Sequence, residues 1–237
     1  MRRVRVTDAW VAAATAVLQE VIAGAPAART CRIALAGGET PRPWYQALAR
    51  TPLPYDRLEL FWGDERVVPP DHPDSNAGWA RRLWLDHVPL DPARIHPWPT
   101  EKEPTDAARA YADTLRRAFG DVDLPRFDLV VLGLGSEGHT ASLFPGSPAL
   151  AAHTWTVAVP VPGRGVRLSL TLPVLSAARR ILFLVTGEAK REAVRRTLSP
   201  RPHEPTTVAA LIRAENVDWV LDPAAAQDLP PGLGARP

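Results

Sequence analysis

Two short segments of this 237-residue chain restrict its fold more than any other feature. Ile181–Val185 is apolar throughout, and Phe127–Leu132 is apolar but for Asp128. Strands of this kind offer no face to water and need cover on both sides, which parallel sheets flanked by helices provide. Further strand candidates lie at Arg32–Ala36, Leu58–Trp62, Thr156–Val159, Arg167–Thr171 and Val217–Leu221. Helical patterns fall between them at Pro41–Arg50, Asn76–Leu85, Asp106–Phe119, Leu172–Ala177 and Ala189–Leu198, with another near Thr206–Ile212. The alternation predicts an α/β fold, a mostly parallel sheet joined by crossover helices. Proline-rich stretches such as Pro89–Pro104 are loops too short to separate two domains, so residues 1–237 are expected to form a single α/β domain. The tail from Pro223 is expected to fray.

At the amino terminus, Met1-Arg-Arg-Val-Arg precedes an alanine-rich stretch that could pass for a secretory signal. Asp8, Gln19 and Glu20 interrupt it, however. Trp10, Ala14, Val17, Leu18, Val21 and Ile22 also share one face at helical spacing, which favours an amphipathic helix with Thr7 or Asp8 as its cap. No apolar run reaches the ~20 residues of a membrane span. With 28 basic and 26 acidic residues the net charge is only +2, which argues against nucleic-acid binding driven by bulk charge. The expected protein is cytoplasmic, binds neither nucleic acid nor membrane, and is a monomer or weak homo-oligomer. The single cysteine, Cys31, excludes an internal disulfide and any multi-cysteine zinc site. It reads as a buried small residue.

In open α/β sheets ligands bind beyond the carboxyl ends of the strands. The residues found there are unusually rich in chemistry: Gly37-Gly38-Glu39-Thr40-Pro41, Gly63-Asp64-Glu65-Arg66, Gly133-Leu-Gly-Ser-Glu-Gly138-His139-Thr140 and Gly187-Glu188-Ala189-Lys190. In the first, glycines allow close backbone approach and free amides at a helix start favour a phosphate. Thr40 is placed both to cap that helix and to touch an anion, although an ordinary tight turn with an ordinary cap would read the same way. The third contains a literal G-x-G-x-x-G, but no acid follows some 20 residues on and Pro145-Gly146 breaks any helix, so a dinucleotide cofactor is rejected. Leu134 two positions before Ser136 rules out a nucleophile elbow.

What remains in that turn is Glu137 two residues before His139. A carboxylate that orients an imidazole makes it a competent base near neutral pH. The other five histidines have no carboxylate at a telling spacing, and no pair has helical metal-site spacing. Arg66, Arg167 and Lys190 add positive charge at strand boundaries. Each alone reads as a solvated surface charge, but together with the Gly37–Thr40 amides they suit a phosphate. The residues alone read as an α/β enzyme acting on a small phosphorylated metabolite, with His139 as base.

These same residues carry a resemblance. Leu35-Ala-Gly-Gly-Glu-Thr-Pro41, Phe61-Trp-Gly-Asp-Glu-Arg-Val-Val-Pro69 with Asp74-Ser-Asn76, Phe127–Gly135 running into Gly138-His-Thr-Ala-Ser-Leu-Phe-Pro145, Arg167–Pro173 and Thr186-Gly-Glu-Ala-Lys190 appear in the order found in the 6-phosphogluconolactonases. The chain resembles these sugar-phosphate lactonases of the oxidative pentose phosphate pathway, within the glucosamine-6-phosphate isomerase/6-phosphogluconolactonase family, over roughly residues 33 to 198. The resemblance implies a Rossmann-like sheet, as in the amino-sugar-phosphate deaminases and ribose-phosphate isomerases. It also implies hydrolysis of 6-phospho-D-glucono-1,5-lactone to 6-phospho-D-gluconate with no cofactor and no metal. By position, His139 is the implied base, with Glu137 beside it. Gly37, Gly38, Thr40, Arg167 and Lys190 are the implied phosphate end, and Asp64 and Arg66 lie near the sugar. The family usually has Asp where this chain has Glu137, and a small polar residue where it has Glu39, whose side chain is expected to point outward.

Two alternatives stay open. An amino-sugar-6-phosphate deaminase could use the same scaffold, although that family continues with Asn-Glu-Pro where this chain has Ser142-Leu-Phe-Pro145. A non-catalytic sugar-phosphate sensor could keep the pocket and lose the chemistry.

Overall fold

The computed structural model describes residues 1–26 and 28–233. In chain order its elements are β1 (Arg2–Val6), α1 (Trp10–Gly24), β2 (Cys31–Leu35), α2 (Pro41–Leu48), β3 (Leu58–Trp62), β4 (Asp64–Arg66), α3 (Asn76–Leu83), α4 (Pro104–Phe119), β5 (Leu129–Leu132), β6 (Thr156–Pro160), β7 (Val166–Leu170), α5 (Leu172–Ser176), β8 (Arg180–Val185), α6 (Arg191–Leu198), α7 (Val208–Leu211) and β9 (Asn216–Leu221). Six strands form a parallel sheet in the order β1-β9-β8-β5-β2-β3. The expected α/β architecture is therefore present. β5, fully buried along its length, occupies the sheet interior as its composition demands.

Strand β2 has β3 on one side and β5 on the other. The chain leaves β2 in one direction and later returns in the other, which opens a crevice at the carboxyl ends of these strands. A second, antiparallel sheet, β4-β7-β6, stands beside this edge. It brings Arg66 into register with Arg167.

Two strands were not expected. β1 is rich in arginine and exposed at Arg2, Arg3 and Arg5. It pairs with β9, more than 200 residues away, as a charged edge that discourages further strand addition. β4 is three residues long and wholly polar, and exists because β7 pairs with it. Helix α1 buries Ala13, Ala14, Val17, Leu18 and Ile22, close to the expected face. Its cap is Ala9 with no side-chain bond, not Thr7 or Asp8; the Thr7 hydroxyl accepts from the Ala9 N–H at 3.0 Å instead. The stretch after β9, expected to fray, packs down over 223–233: Ala225 is fully buried and Asp228 pairs with Arg191 at 2.9 Å. Residues 234–237 of that tail lie outside the described residues.

The core carries Trp44, Trp62 and Trp84 at 0% exposure. Two buried tyrosines hold the backbone where chemistry begins. The Tyr45 hydroxyl of α2 donates to the Ala36 carbonyl at 2.6 Å, one residue before the first glycine turn. The Tyr111 hydroxyl of α4 accepts from the Trp62 N–H at 2.9 Å, just before Gly63. Each bond satisfies a buried polar group and fixes the exit of a strand. No described helix is long and apolar enough to cross a membrane.

Candidate active site

A cavity of about 580 Å³ opens at the carboxyl ends of β2, β3, β5 and β8. Its lining includes Gly37, Gly38, Thr40, Asp64, Arg66, His139, Arg167 and Lys190. Of the expected site residues, only Glu137 is outside this lining; it stands beside it, against the imidazole.

The turn after β5 is built around His139. Gly135 N–H donates to the His139 carbonyl and Gly138 N–H to the Gly135 carbonyl, each at 2.9 Å, and the Thr140 hydroxyl donates back to Gly133 O at 2.8 Å. The imidazole lies flat on Gly135: a Cβ there would come within 1.9 Å of Nδ1, so any side chain would expel the ring. Phe144 stacks on the ring, centroids 4.3 Å apart. Gly138 holds a φ of +90° with Thr207 packed against it, which glycine tolerates at least cost. Ala141, two residues past the histidine, also has a positive φ of 47°, a local strain of the kind that collects at functional turns.

Glu137 Oε2 stands 3.2 Å from His139 Nδ1. Nδ1 makes no hydrogen bond, so the contact becomes an ion pair only when the imidazole takes a proton. Burial pushes the His139 pKa down; the carboxylates of Glu137 and Asp64 push it back up, and Lys190 opposes them. The net direction is downward, which leaves the imidazole neutral at pH 7. Glu137 itself is lowered: burial would raise it, but a backbone N–H, His139 and Ser136 outweigh that.

Asp64 accepts from the Ser142 hydroxyl at 2.6 Å, across 78 residues of sequence. The Asn76 side-chain amide donates to the Asp64 carbonyl at 2.9 Å. Arg66 donates to the Asp74 carbonyl at 2.6 Å. Arg167 is lowered by burial and then by the facing charge of Arg66, with Asp64 and Asp74 pulling it partly back up.

The Thr40 hydroxyl makes no cap bond to α2. It meets the Thr186 hydroxyl at 3.2 Å, which joins the turns after β2 and β8. Glu39 is exposed but lies on the cavity lining. Among the described residues no three His, Cys, Asp or Glu side chains gather as a metal-holding set.

Sequence reasoning missed three contributors. Asn76 is 1% exposed and packed over Gly37, where a Cβ would lie 1.8 Å from its Oδ1. Arg164 lines the cavity from the β6–β7 turn, with Nη1 4.0 Å from Glu137 Oε1. Ser142 is buried and bonded to Asp64. Only Asn76 carried a local signal, its position directly after the Ser75 cap. One of the histidines thought to lack a carboxylate, His96, has Glu59 at 3.0 Å; it stacks on Phe61 and is not among the residues lining the cavity.

Residues 5–220 match the family model described as glucosamine-6-phosphate isomerases/6-phosphogluconolactonase. A 6-phosphogluconolactonase of Synechocystis is 43% identical over 204 residues, covering 84% of this chain and 85% of its own. The solved 6-phosphogluconolactonase of Trypanosoma cruzi superposes with a TM-score of 0.88 at 28% identity, over 97% of either chain. A monomeric glucosamine-6-phosphate deaminase, 22% identical with a TM-score of 0.79 over 95% of this chain and 98% of its own, shares the fold. The chain belongs to the glucosamine-6-phosphate isomerase/6-phosphogluconolactonase family.

Proposed function

We propose that this protein hydrolyses 6-phospho-D-glucono-1,5-lactone to 6-phospho-D-gluconate, the lactonase step of the oxidative pentose phosphate pathway, with His139 as general base. The observation that carries the reading is the partly buried imidazole, its pKa pushed below the ordinary value, set beside two carboxylates in a cavity that also holds three of the expected cations. The 43% identity to a named lactonase supports the same substrate.

His139 takes a proton from water, which attacks the lactone carbonyl carbon. The carbonyl oxygen becomes an oxyanion, met by Arg66. The C–O bond to the ring oxygen then breaks as the carbonyl re-forms, and the imidazolium returns its proton to the departing ring oxygen, leaving a hydroxyl and a carboxylic acid that ionises by releasing its proton to solvent. General-base help of this kind contributes about 10²–10⁴-fold. Gly37, Gly38, Thr40, Arg167 and Lys190 hold the phosphate, so binding energy remote from the reacting carbon orients the ring. Glu137 and Asp64 stabilise the imidazolium as it forms. The reading takes the chain as one α/β unit, cytoplasmic, acting as a monomer or weak homo-oligomer.

The test is lactone loss against its spontaneous rate. His139→Ala should lose about 10²–10⁴-fold in kcat while still binding 6-phosphogluconate by calorimetry. Turnover near wild type would overturn the assignment. Ammonia release from an amino-sugar 6-phosphate without lactone loss would identify a deaminase.

A further inference from the structure

We propose that Glu65 is a positioning residue which, from behind the cavity wall, sets Asp64 and Arg66 against the reacting end of the substrate. The inference rests on the lactonase reading only for the identity of that end.

Side chains alternate along a strand. In β4, Asp64 and Arg66 line the cavity while Glu65 turns the other way and is 1% exposed. There its Oε1 accepts from the backbone N–H groups of Arg66 and Asn76, both at 2.8 Å. Its Oε2 accepts from the Ala77 N–H at 2.8 Å and the Ser75 hydroxyl at 3.4 Å. Two of these donors are first-turn amides of α3, which lack intrahelical partners and sit at the positive end of the helix dipole.

Glu65 is not the N-cap residue of α3. Ser75 already serves, its hydroxyl accepting from Gly78 N–H at 3.0 Å. Glu65 takes the two first-turn amides that Ser75 leaves over, and by accepting from the Arg66 N–H as well it reaches into β4. It joins the start of α3 to the backbone between Asp64 and Arg66. Asn76, the first residue of α3, then closes the loop by donating its side-chain amide to the Asp64 carbonyl at 2.9 Å. The Asp64–Arg66 segment is thus held from both faces, by Glu65 beneath and Asn76 above. Burial without a cationic partner is costly and raises the Glu65 carboxyl to about 7, against the three backbone donors that favour its charged form.

Glu65→Gln keeps the shape but sets an amide N–H₂ against N–H donors. Misplacement by about 1 Å near reacting atoms can cost about 10²-fold. Expected are a kcat lower by about 10–100-fold, and a KM and calorimetric affinity for 6-phosphogluconate within about threefold of wild type, because the phosphate end is untouched. Amide exchange at Asn76 and Ala77 should quicken, and Glu65→Asp, which keeps the charge, should recover part of the rate. A folded Glu65→Gln protein with wild-type kcat overturns the proposal, as does a rise in KM that matches the loss of kcat. If Glu65→Gln does not fold, Asn76→Asp keeps a side chain of the same shape over Gly37 but loses the amide that donates to the Asp64 carbonyl, and should lower kcat about tenfold; an unchanged kcat there also overturns it. A wild-type chain that does not accelerate lactone loss refutes the lactonase reading instead. In that event unchanged amide exchange in Glu65→Gln would still refute the hold on β4.

Discussion

A histidine that acts as a base at neutral pH has to be uncharged before the reaction and tolerable as a cation during it. Burial against Phe144 and Gly135 supplies the first condition, and Glu137 with Asp64 the second. The balance makes a prediction with a definite sign. The rate requires neutral His139, so kcat/KM should be flat across neutral pH and fall in acid. Glu137→Gln removes a charge that raises the His139 pKa, so the acid limb should move to lower pH. The plateau should drop on the order of tenfold, because a less basic imidazole abstracts protons less well. A pH–rate profile decides it; a limb that stays in place or moves upward would detach Glu137 from the histidine. The adjacency of Glu137 and His139 was legible in the sequence, because two residues in one turn are neighbours in any fold. The Asp64–Ser142 bond was not, because only folding brings positions 78 residues apart together.

The turn after β5 positions Glu137 and His139, and its glycines are of two kinds. Gly138 is needed for its backbone, with a φ of +90°. Gly135 is needed for the space above it, which the imidazole fills. Gly135→Ala should therefore leave the backbone unstrained and displace the ring, giving a loss of kcat comparable with His139→Ala while the melting temperature shifts by no more than a few degrees. Measuring both on one preparation tests this; retained turnover would mean that the ring finds its place without Gly135. The glycine turns themselves could be read directly, since a strand followed by Gly-rich polar sequence is a local pattern. The capping role expected of Thr40 is absent for a related reason. Capping is inferred from one stretch of chain, whereas its hydroxyl pairs with Thr186, 146 residues away.

Stability and chemistry are concentrated at opposite ends of the parallel sheet. The cavity occupies the carboxyl ends of the strands, while Asp128, just ahead of β5, gathers Arg29 at 2.5 and 2.7 Å, the Arg32 N–H at 2.9 Å and Arg179 at 3.5 Å. Asp128→Ala should cost about 1.5–3 kcal/mol, the range for hydrogen bonds to charged groups. The melting temperature should then fall by about 2–4 °C per kcal/mol, with kcat unchanged. Calorimetric melting beside the lactone assay checks the separation, and a matching loss of kcat would show that the two ends are coupled. The sequence by itself determined the α/β class, the sites of the interior strands and the turns that bear His139, Lys190, Gly37 and Gly38, because hydrophobic run length and turn chemistry are written in neighbouring residues. Only the tertiary structure decided that an arginine-rich amino terminus is an edge strand, that Arg66 faces Arg167, and that Glu65 lies buried beneath α3. Each of those depends on a partner remote in sequence, and pairing energy between distant segments leaves no local pattern to read.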